Sequence, residues 1–166
     1  MNRNLKQIAD AIYNKCAFKI SDFKLEQESQ EYDACQFKLN QRFIISRSSK
    51  ITPKKVGQFV TFWKRDESGP IQPFHESDAF DFFIVNVWKD DKFGQFVFPK
   101  SILINKGIIS TNYKEGKRAF RVYPSWDKPQ NKQAERIQIW QLNYFYEIGA
   151  NTDLKKVSDL YQMNTP

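Results

Sequence analysis

The order of apolar and polar positions predicts a chain of short helices and strands. Near the start, apolar residues recur at helical spacing and predict a first helix over residues 5–16. Its stripe consists of Leu5, Ile8, Ala9, Ile12 and Cys16. A weak alternation over residues 18–25 predicts a short strand or an extended segment. Clearer strand patterns over residues 35–39 and 42–48 predict a hairpin around Asn40-Gln41.

Residues 53–65 form the predicted central element of the chain. Apolar residues at i, i+3, i+4 and i+7 predict a short amphipathic helix, with Thr52 as its cap and Pro53 at its first position. The stripe is formed by Val56, Phe59, Val60 and Trp63. A second face would carry Lys54, Gln58, Thr61 and Arg65. This face is either a ligand-contacting surface or the ordinary solvated side of a surface helix.

The middle of the chain predicts a second hairpin, a short helix and a further strand. The apolar stretches 81–88 and 94–98 form the hairpin, with the turn between them at residues 90–92. Ser101 is suited to cap a short helix that Gly107 ends. A strand over residues 119–123 follows.

Two helices are predicted near the end of the chain. Asn131 is suited to cap a helix over residues 132–147, which Gly149 would end. Because its apolar residues lie on more than one side, we expect this helix to be largely buried. Residues 152–163 predict a short terminal helix, either docked or frayed.

This order of elements indicates an α+β fold in a single domain, with a mixed or largely antiparallel sheet and helices packed on it. The 166 residues are enough for one domain with its own core. We expect the domain to span residues 1–150. Residues 151–166 would form a C-terminal tail or a short docked helix.

Five motifs in one order resemble the signature of the MepB family of small bacterial proteins. They are residues 53–65 with 69–74 (PKKVGQFVTFWKR and GPIQPF), 94–100 (GQFVFPK), 116–124 (GKRAFRVYP), and 131–134 (NKQA) leading to Trp140. The resemblance extends over about residues 5–148. It implies a bacterial protein with one fold-sized unit. The family takes its name from a multidrug-efflux gene cluster. The resemblance implies no particular reaction.

The charge balance favours an acidic partner. The chain has 26 Lys and Arg residues against 19 Asp and Glu residues, a net charge of +7. Such a surplus favours polyanions, nucleic acid first. No apolar run approaches the length of a membrane span, and the N-terminus lacks a hydrophobic signal core, so we expect a cytoplasmic protein that does not bind a membrane. Cys16 and Cys35 should be free thiols.

Several kinds of chemistry find little support in the sequence. His75 is the only histidine, so neither a zinc site nor a histidine-dependent nucleophile is expected. Phosphate-binding glycine motifs are absent, and no cofactor is expected. A metal-dependent nuclease would require a carboxylate, a Glu or Gln, and a Lys on adjacent strands. The weak candidates for that set are Asp81, Gln95 and Lys100, with Glu28 or Asp33 as a further carboxylate.

The leading hypothesis is non-catalytic nucleic-acid binding by a basic, aromatic-edged surface. We expect phosphate contacts from Lys54, Lys55, Lys64, Arg65, Lys117, Arg118 and Arg121. Phe74, Tyr123 and Trp126 are placed either to stack on bases or to fill the core. Gln58, Gln72 and Gln133 would read base edges or bond the backbone. The alternatives are the nuclease and a pocket for a small aromatic or anionic ligand.

Overall fold

A six-stranded mixed sheet forms the centre of the protein, in a computed structural model that describes residues 3–162. In spatial order its strands are β1 (Ile20–Leu25), β2 (Cys35–Leu39), β3 (Arg42–Ser48), β8 (Phe82–Lys89), β9 (Lys92–Pro99) and β11 (Phe145–Glu147). Neighbouring strands are antiparallel except β3 and β8, which run parallel with Ile44 opposite Phe82. The predicted α+β class and mixed sheet are therefore confirmed.

Within residues 3–162, two smaller sheets and four α-helices surround this sheet. The three-stranded sheet has the order β10 (Ala119–Val122), β5 (Gln58–Thr61) and β4 (Lys50–Ile51). A two-stranded sheet pairs β6 (Lys64–Arg65) with β7 (Ile71–Gln72). The helices are α1 (Arg3–Ile8), α2 (Lys100–Asn105), α3 (Lys132–Leu142) and α4 (Leu154–Gln162). A π-helix at Ala9–Tyr13 extends α1, and a 3-10 turn lies at Gln30–Tyr32.

Each face of the large sheet carries its own hydrophobic core. Strand β8 contributes to both, because successive side chains of a strand point to opposite faces. Phe82 and Ile84 pack into the first core, which α1 and α4 cover with residues such as Leu5 and Leu160. Phe83, Val85 and Val87 of β8 enter the second core, which the three-stranded sheet and α2 cover. Its members include Val60, Phe62, Phe83, Val85, Leu103 and Val122.

Both predicted hairpins are confirmed, and the first helix is present, although with its π-helical extension it covers residues 3–13 instead of 5–16. The turn between β2 and β3 lacks glycine, but Asn40 adopts a φ of 54°, a conformation that asparagine tolerates better than most residues. Asp90 does the same with a φ of 55° in the turn between β8 and β9. The alternating apolar patterns were therefore sufficient to locate these strand pairs, because each strand buries at least one face.

The predicted helix over residues 53–65 is wrong. The segment is a loop followed by β5 and β6, and β5 pairs with β10 so that Val60 faces Phe120. Gly57 has a φ of 84°, which no α-helix accommodates. The β-branched and aromatic residues of this stretch suit a strand, and pairing with β10 outweighs their helical spacing. Burial alternates along β5, with Val60 in the second core and Phe59 on the outer side.

Three details of the predicted helices also change. Helix α3 ends at Leu142, not at Gly149, because Phe145 and Tyr146 leave it to pair with β9 as β11. It is not largely buried, since Ile139 is 70% exposed. Ser101 lies inside α2, and Pro99 precedes that helix as its N-cap residue.

Other boundaries agree with the patterns. The predicted cap Asn131 is confirmed, because its side chain accepts the N–H of Ala134 at 2.9 Å. Helix α4 docks against the first core through Val157, Leu160 and Tyr161. The predicted end of this helix at Met163 lies outside the described residues.

Candidate nucleic-acid interface

Two adjoining clefts beside β5 and β10 form a surface that we call the basic trough. The first has a volume of about 730 Å³ and the second about 490 Å³. They share Lys54, Lys55, Val56 and Gln130, so they are continuous. The cationic lining residues of the first are Lys54, Lys55, Lys117 and Arg121, and the second adds Lys89 and Lys128. Among the described lining residues, Asp127 is the one carboxylate.

Arg121 holds the loop that supplies two of these lysines. From β10, its guanidinium donates to Oγ1 of Thr52 at 2.7 Å and to the carbonyl oxygen of Gly57 at 3.3 Å. Gly57 must be a glycine for two reasons: its φ is positive, and a Cβ would lie 2.6 Å from the Tyr123 ring. These contacts place Lys54 and Lys55 at the trough, although the segment is not the predicted helix.

Gln58 supports the trough from inside and does not face a ligand. Its side chain is buried, accepts a hydrogen bond from the Ser49 hydroxyl at 2.6 Å and donates to the carbonyl oxygen of Trp88 at 2.9 Å. Because both amide atoms are bonded within the protein, Gln58 anchors β5 and is not available to read base edges.

Helix α3 forms the opposite wall of the trough. Gln141 docks this helix on β10, donating to the carbonyl oxygen of Arg121 at 2.9 Å and accepting the N–H of Tyr123 at 2.8 Å. Gln138 donates to the carbonyl oxygens of Pro124 and Asp127, both at 2.9 Å. Sequence reasoning did not single out these two glutamines. Their spacing of three residues on one helix face is a signal that could have indicated a shared role.

The second cleft contains charges that sequence reasoning also missed. Lys89 ends β8, and its ammonium lies 3.7 Å from the carboxylate of Asp127. Burial raises the pKa of Asp127, and the nearby Lys89 opposes this shift. Lys128 follows directly in sequence. Only the fold brings the end of β8 beside residues 126–128, so no local pattern could have grouped them.

The predicted stacking residues are mainly part of the core. Tyr123 is 8% exposed and Phe74 is 6% exposed. Trp126 lies edge-on to Phe145 with the ring centres 5.7 Å apart, and its buried indole N–H has no partner among residues 3–162. Phe59, half-buried in β5, lines the trough beneath the guanidinium of Arg121, 6.0 Å from its ring centre. The trough therefore presents more cationic groups, which suit phosphates, than exposed aromatic rings, which suit bases.

Three predicted phosphate contacts lie outside the trough and are paired with carboxylates. Lys64 donates to Asp78 at 2.8 Å. Arg65 donates to Glu28 at 3.0 Å. Arg118 donates to Glu115 at 2.9 Å. The structure leaves these three apart. It brings together at the trough Lys54, Lys55, Lys117, Arg121, Tyr123 and Trp126.

The weak nuclease candidates do not meet in one cleft. Asp81 and Lys100 lie at the same end of the β8–β9 hairpin, where the N–H of Lys100 donates to the carbonyl oxygen of Asp81 at 3.0 Å. Gln95 lies four residues before Pro99 on β9, about 13 Å away along the strand. It is fully buried and bonded to tyrosines of the first core. Among residues 3–162, no three His, Cys, Asp or Glu side chains are grouped to hold a metal.

These features define a single-domain α+β protein with a cationic trough beside its smaller sheet. A sequence profile of the MepB-like family matches residues 26–147, and the chain belongs to that family. The crystal structure of MepB is similar, with 34% sequence identity and a TM-score of 0.76 over 91% of this chain and 99% of that one. No curated protein matches the sequence.

A bacterial homing endonuclease, I-Ssp6803I, gives a weaker structural match. Its TM-score is 0.45 with 17% identity, over 86% of this chain and 93% of that one. A likeness at that level says nothing about activity. No helix within residues 3–162 has the length and apolarity needed to cross a lipid bilayer.

Proposed function

We propose that this protein binds nucleic acid without cleaving it, through the phosphate backbone and along the basic trough. The observation that carries the proposal is the convergence of cations from separate parts of the chain. Lys54 and Lys55 come from the loop before β5, Lys117 and Arg121 from around β10, and Lys89 from the end of β8. Cations grouped in a concave surface with one carboxylate among the described lining residues favour a polyanion.

Binding of this kind depends on phosphate charge more than on sequence. Each phosphate that a lysine or arginine neutralises releases counterions, so affinity falls as salt rises. If four cations of the first cleft contact phosphates, log K should fall against log salt concentration with a slope of about −3 to −4. The buried positions of Tyr123 and Gln58 agree with weak base discrimination.

The experiment is a fluorescence anisotropy titration with labelled single-stranded and duplex oligonucleotides at several salt concentrations. Lys54→Gln and Lys117→Gln should each weaken binding to both and reduce the salt slope by about 1. The matched control is Lys155→Gln on α4. Its side chain is 89% exposed, and α4 packs against the other face of the large sheet. It removes the same charge and should change neither quantity.

Equal effects at all three positions would overturn the trough as the binding surface. Absence of binding at low salt would overturn nucleic-acid binding itself. The same samples are then run on a denaturing gel with and without magnesium. Intact strands support the proposal, whereas shortened strands that require the metal would replace it with the nuclease hypothesis.

A further inference from the structure

A third cleft is lined in part by β6 and shares no lining residue with the basic trough. We call it the Arg47 cleft. Its volume of about 610 Å³ is within the range of small-molecule sites. Strands β1 to β3 contribute polar residues to this cleft. On the face of the large sheet that bears the second core, β8 and β9 instead contribute apolar residues. The lining residues used below include Glu26, Glu28, Gln36, Arg47, Trp63 and Arg65.

Arg47 is the most unusual residue of this cleft. Its side chain on β3 is 2% exposed, although burying a charged group costs several kcal/mol unless partners compensate it. Burial lowers its pKa, yet a guanidinium remains protonated at neutral pH. Its Nη1 donates to the carbonyl oxygen of Ser46 at 3.0 Å and pairs with Glu26. Its buried Nε–H has no partner among residues 3–162.

Glu26 is the carboxylate that pairs with Arg47. It follows β1, its side chain is 19% exposed, and it receives a hydrogen bond from Nε2 of Gln36 at 2.8 Å. Glu26 therefore neutralises Arg47 but leaves part of the guanidinium fork unused. A guanidinium bonds most strongly when two parallel N–H groups meet one carboxylate or phosphate.

The wall of the cleft can receive an aromatic ring. Trp63 is half-buried between β5 and β6, and the guanidinium of Arg65 lies 5.5 Å from its ring centre. Arg65 donates to Glu28 and to the carbonyl oxygen of Gly69, both at 3.0 Å, and its ion pair with Glu28 is of the exposed kind that contributes little to stability. An indole beside an exposed cation suits a planar ligand with an acidic group.

We propose that the Arg47 cleft binds a small planar molecule that carries a carboxylate or a phosphate. The acidic group takes the unused side of the Arg47 fork in competition with Glu26, and the ring packs on Trp63. This site is separate from the trough and does not depend on nucleic-acid binding.

The experiment is isothermal titration calorimetry of the full chain with salicylate and with adenosine 5′-monophosphate, which distinguish the carboxylate from the phosphate. Inorganic phosphate is the ringless comparison. At least one aromatic probe should bind with a dissociation constant of about 1 mM or lower, and inorganic phosphate more weakly. Glu26→Gln should tighten this binding about tenfold, because it removes the charge that competes for Arg47.

The matched control is Glu67→Gln, which removes the same charge from an exposed residue of the same cleft but leaves the Arg47–Glu26 and Arg65–Glu28 pairs intact. It should change affinity by less than about threefold. Trp63→Leu should weaken binding of the aromatic probe and leave inorganic phosphate unaffected, and it keeps the test decisive if Glu26→Gln fails to fold. Equal tightening by the two glutamate variants, an unchanged affinity in Trp63→Leu, or no binding of either aromatic probe would each overturn the proposal.

Discussion

The hydroxyl of Tyr161 lies 2.7 Å from Oε1 of Gln95, and this hydrogen bond joins α4 to β9 inside the first core. The same Gln95 oxygen accepts from Tyr146, and the hydroxyl of Tyr13 lies 2.7 Å from that of Tyr161. Nε2 of Gln95 donates to Asn86 at 2.8 Å. One buried amide thus connects the first helical segment, three strands of the sheet and the last helix.

We expect Tyr161→Phe to lower the free energy of unfolding by about 1–3 kcal/mol, because Gln95 and Tyr13 then each lose a buried hydrogen-bond partner. Urea denaturation followed by circular dichroism measures the change. Tyr113→Phe is the control, since Tyr113 is 98% exposed and the same hydroxyl is removed there. Equal stability of the two variants would show that this network does not stabilise the fold.

The sequence predicted α4 as a helix but could not show how it is attached. Its apolar spacing is clear at Val157 and Leu160, which are buried. The polar partner of Tyr161 lies 66 positions earlier in the chain, and no local pattern relates the two. The sequence instead presents Gln95 as a weak catalytic candidate. The burial of Gln95 decides between a catalytic role and a structural one, and it follows from the packing of α1 and α4 on the sheet.

Gly57 offers a direct test of the loop that supplies Lys54 and Lys55. We expect Gly57→Ala to destabilise the protein by more than about 1 kcal/mol, because its φ of 84° disfavours alanine and the new Cβ would meet Tyr123 at 2.6 Å. The loss should appear as a lower urea midpoint. Oligonucleotide affinity should also fall in conditions where the variant stays folded, since the loop shifts.

Gly149→Ala is the matched control for this substitution. A Cβ at Gly149 would have no atom within 4 Å, and its φ is not positive. Its stability and oligonucleotide affinity should therefore remain close to those of the unmodified protein. If Gly57→Ala behaved like Gly149→Ala, the close approach of the loop to Tyr123 could not be what positions the two lysines.

Among residues 3–162, four of the six cationic residues that line the trough followed from sequence, and the physical reason is local clustering. Lys54 and Lys55 are adjacent, and Lys117 and Arg121 are four residues apart, so a charge count alone grouped each pair. What the sequence could not give was the relation between the pairs, because β5 and β10 pair across about 60 residues of chain. Arg118 lies between two trough residues but pairs with Glu115 outside the trough.

The buried thiol of Cys35 should make the protein less stable at alkaline pH. Burial raises the pKa of Cys35 from 9.0 to about 11. A group with a raised folded-state pKa contributes its full stability below the unfolded pKa and loses it as the pH rises. The free energy of unfolding should therefore fall by about 1.4 kcal/mol per pH unit between about pH 9 and 11.

Urea titrations across that range measure this slope. Cys35→Ala should have a smaller slope, whereas Cys16→Ala retains Cys35 and should keep the slope of the unmodified protein. Burial also raises the pKa of Tyr13, Tyr146 and Tyr161, which adds a further loss above about pH 10 in all three proteins. Identical slopes for the two alanine variants below that pH would contradict the assignment to Cys35.

Asp81 is expected to act in folding and not in catalysis. Its carboxylate accepts the N–H of Phe43 at 2.7 Å, where β3 and β8 begin side by side. A charge-assisted bond at this point fixes the register of the one parallel strand pair in the large sheet. We expect Asp81→Ala to lower the free energy of unfolding by about 1.5–3 kcal/mol and to leave oligonucleotide affinity unchanged.

The control for this substitution is Asp159→Ala, which removes a carboxylate that is 63% exposed and pairs with Lys155 at 3.9 Å on the surface. It should cost less than about 1 kcal/mol. Both variants are also incubated with an oligonucleotide and magnesium. If the unmodified protein cleaved the strand and Asp81→Ala alone abolished cleavage at a temperature where it remains folded, Asp81 would be catalytic. If the three proteins gave equal product patterns and only Asp81→Ala lowered stability, Asp81 would be the residue that holds β3 and β8 in register.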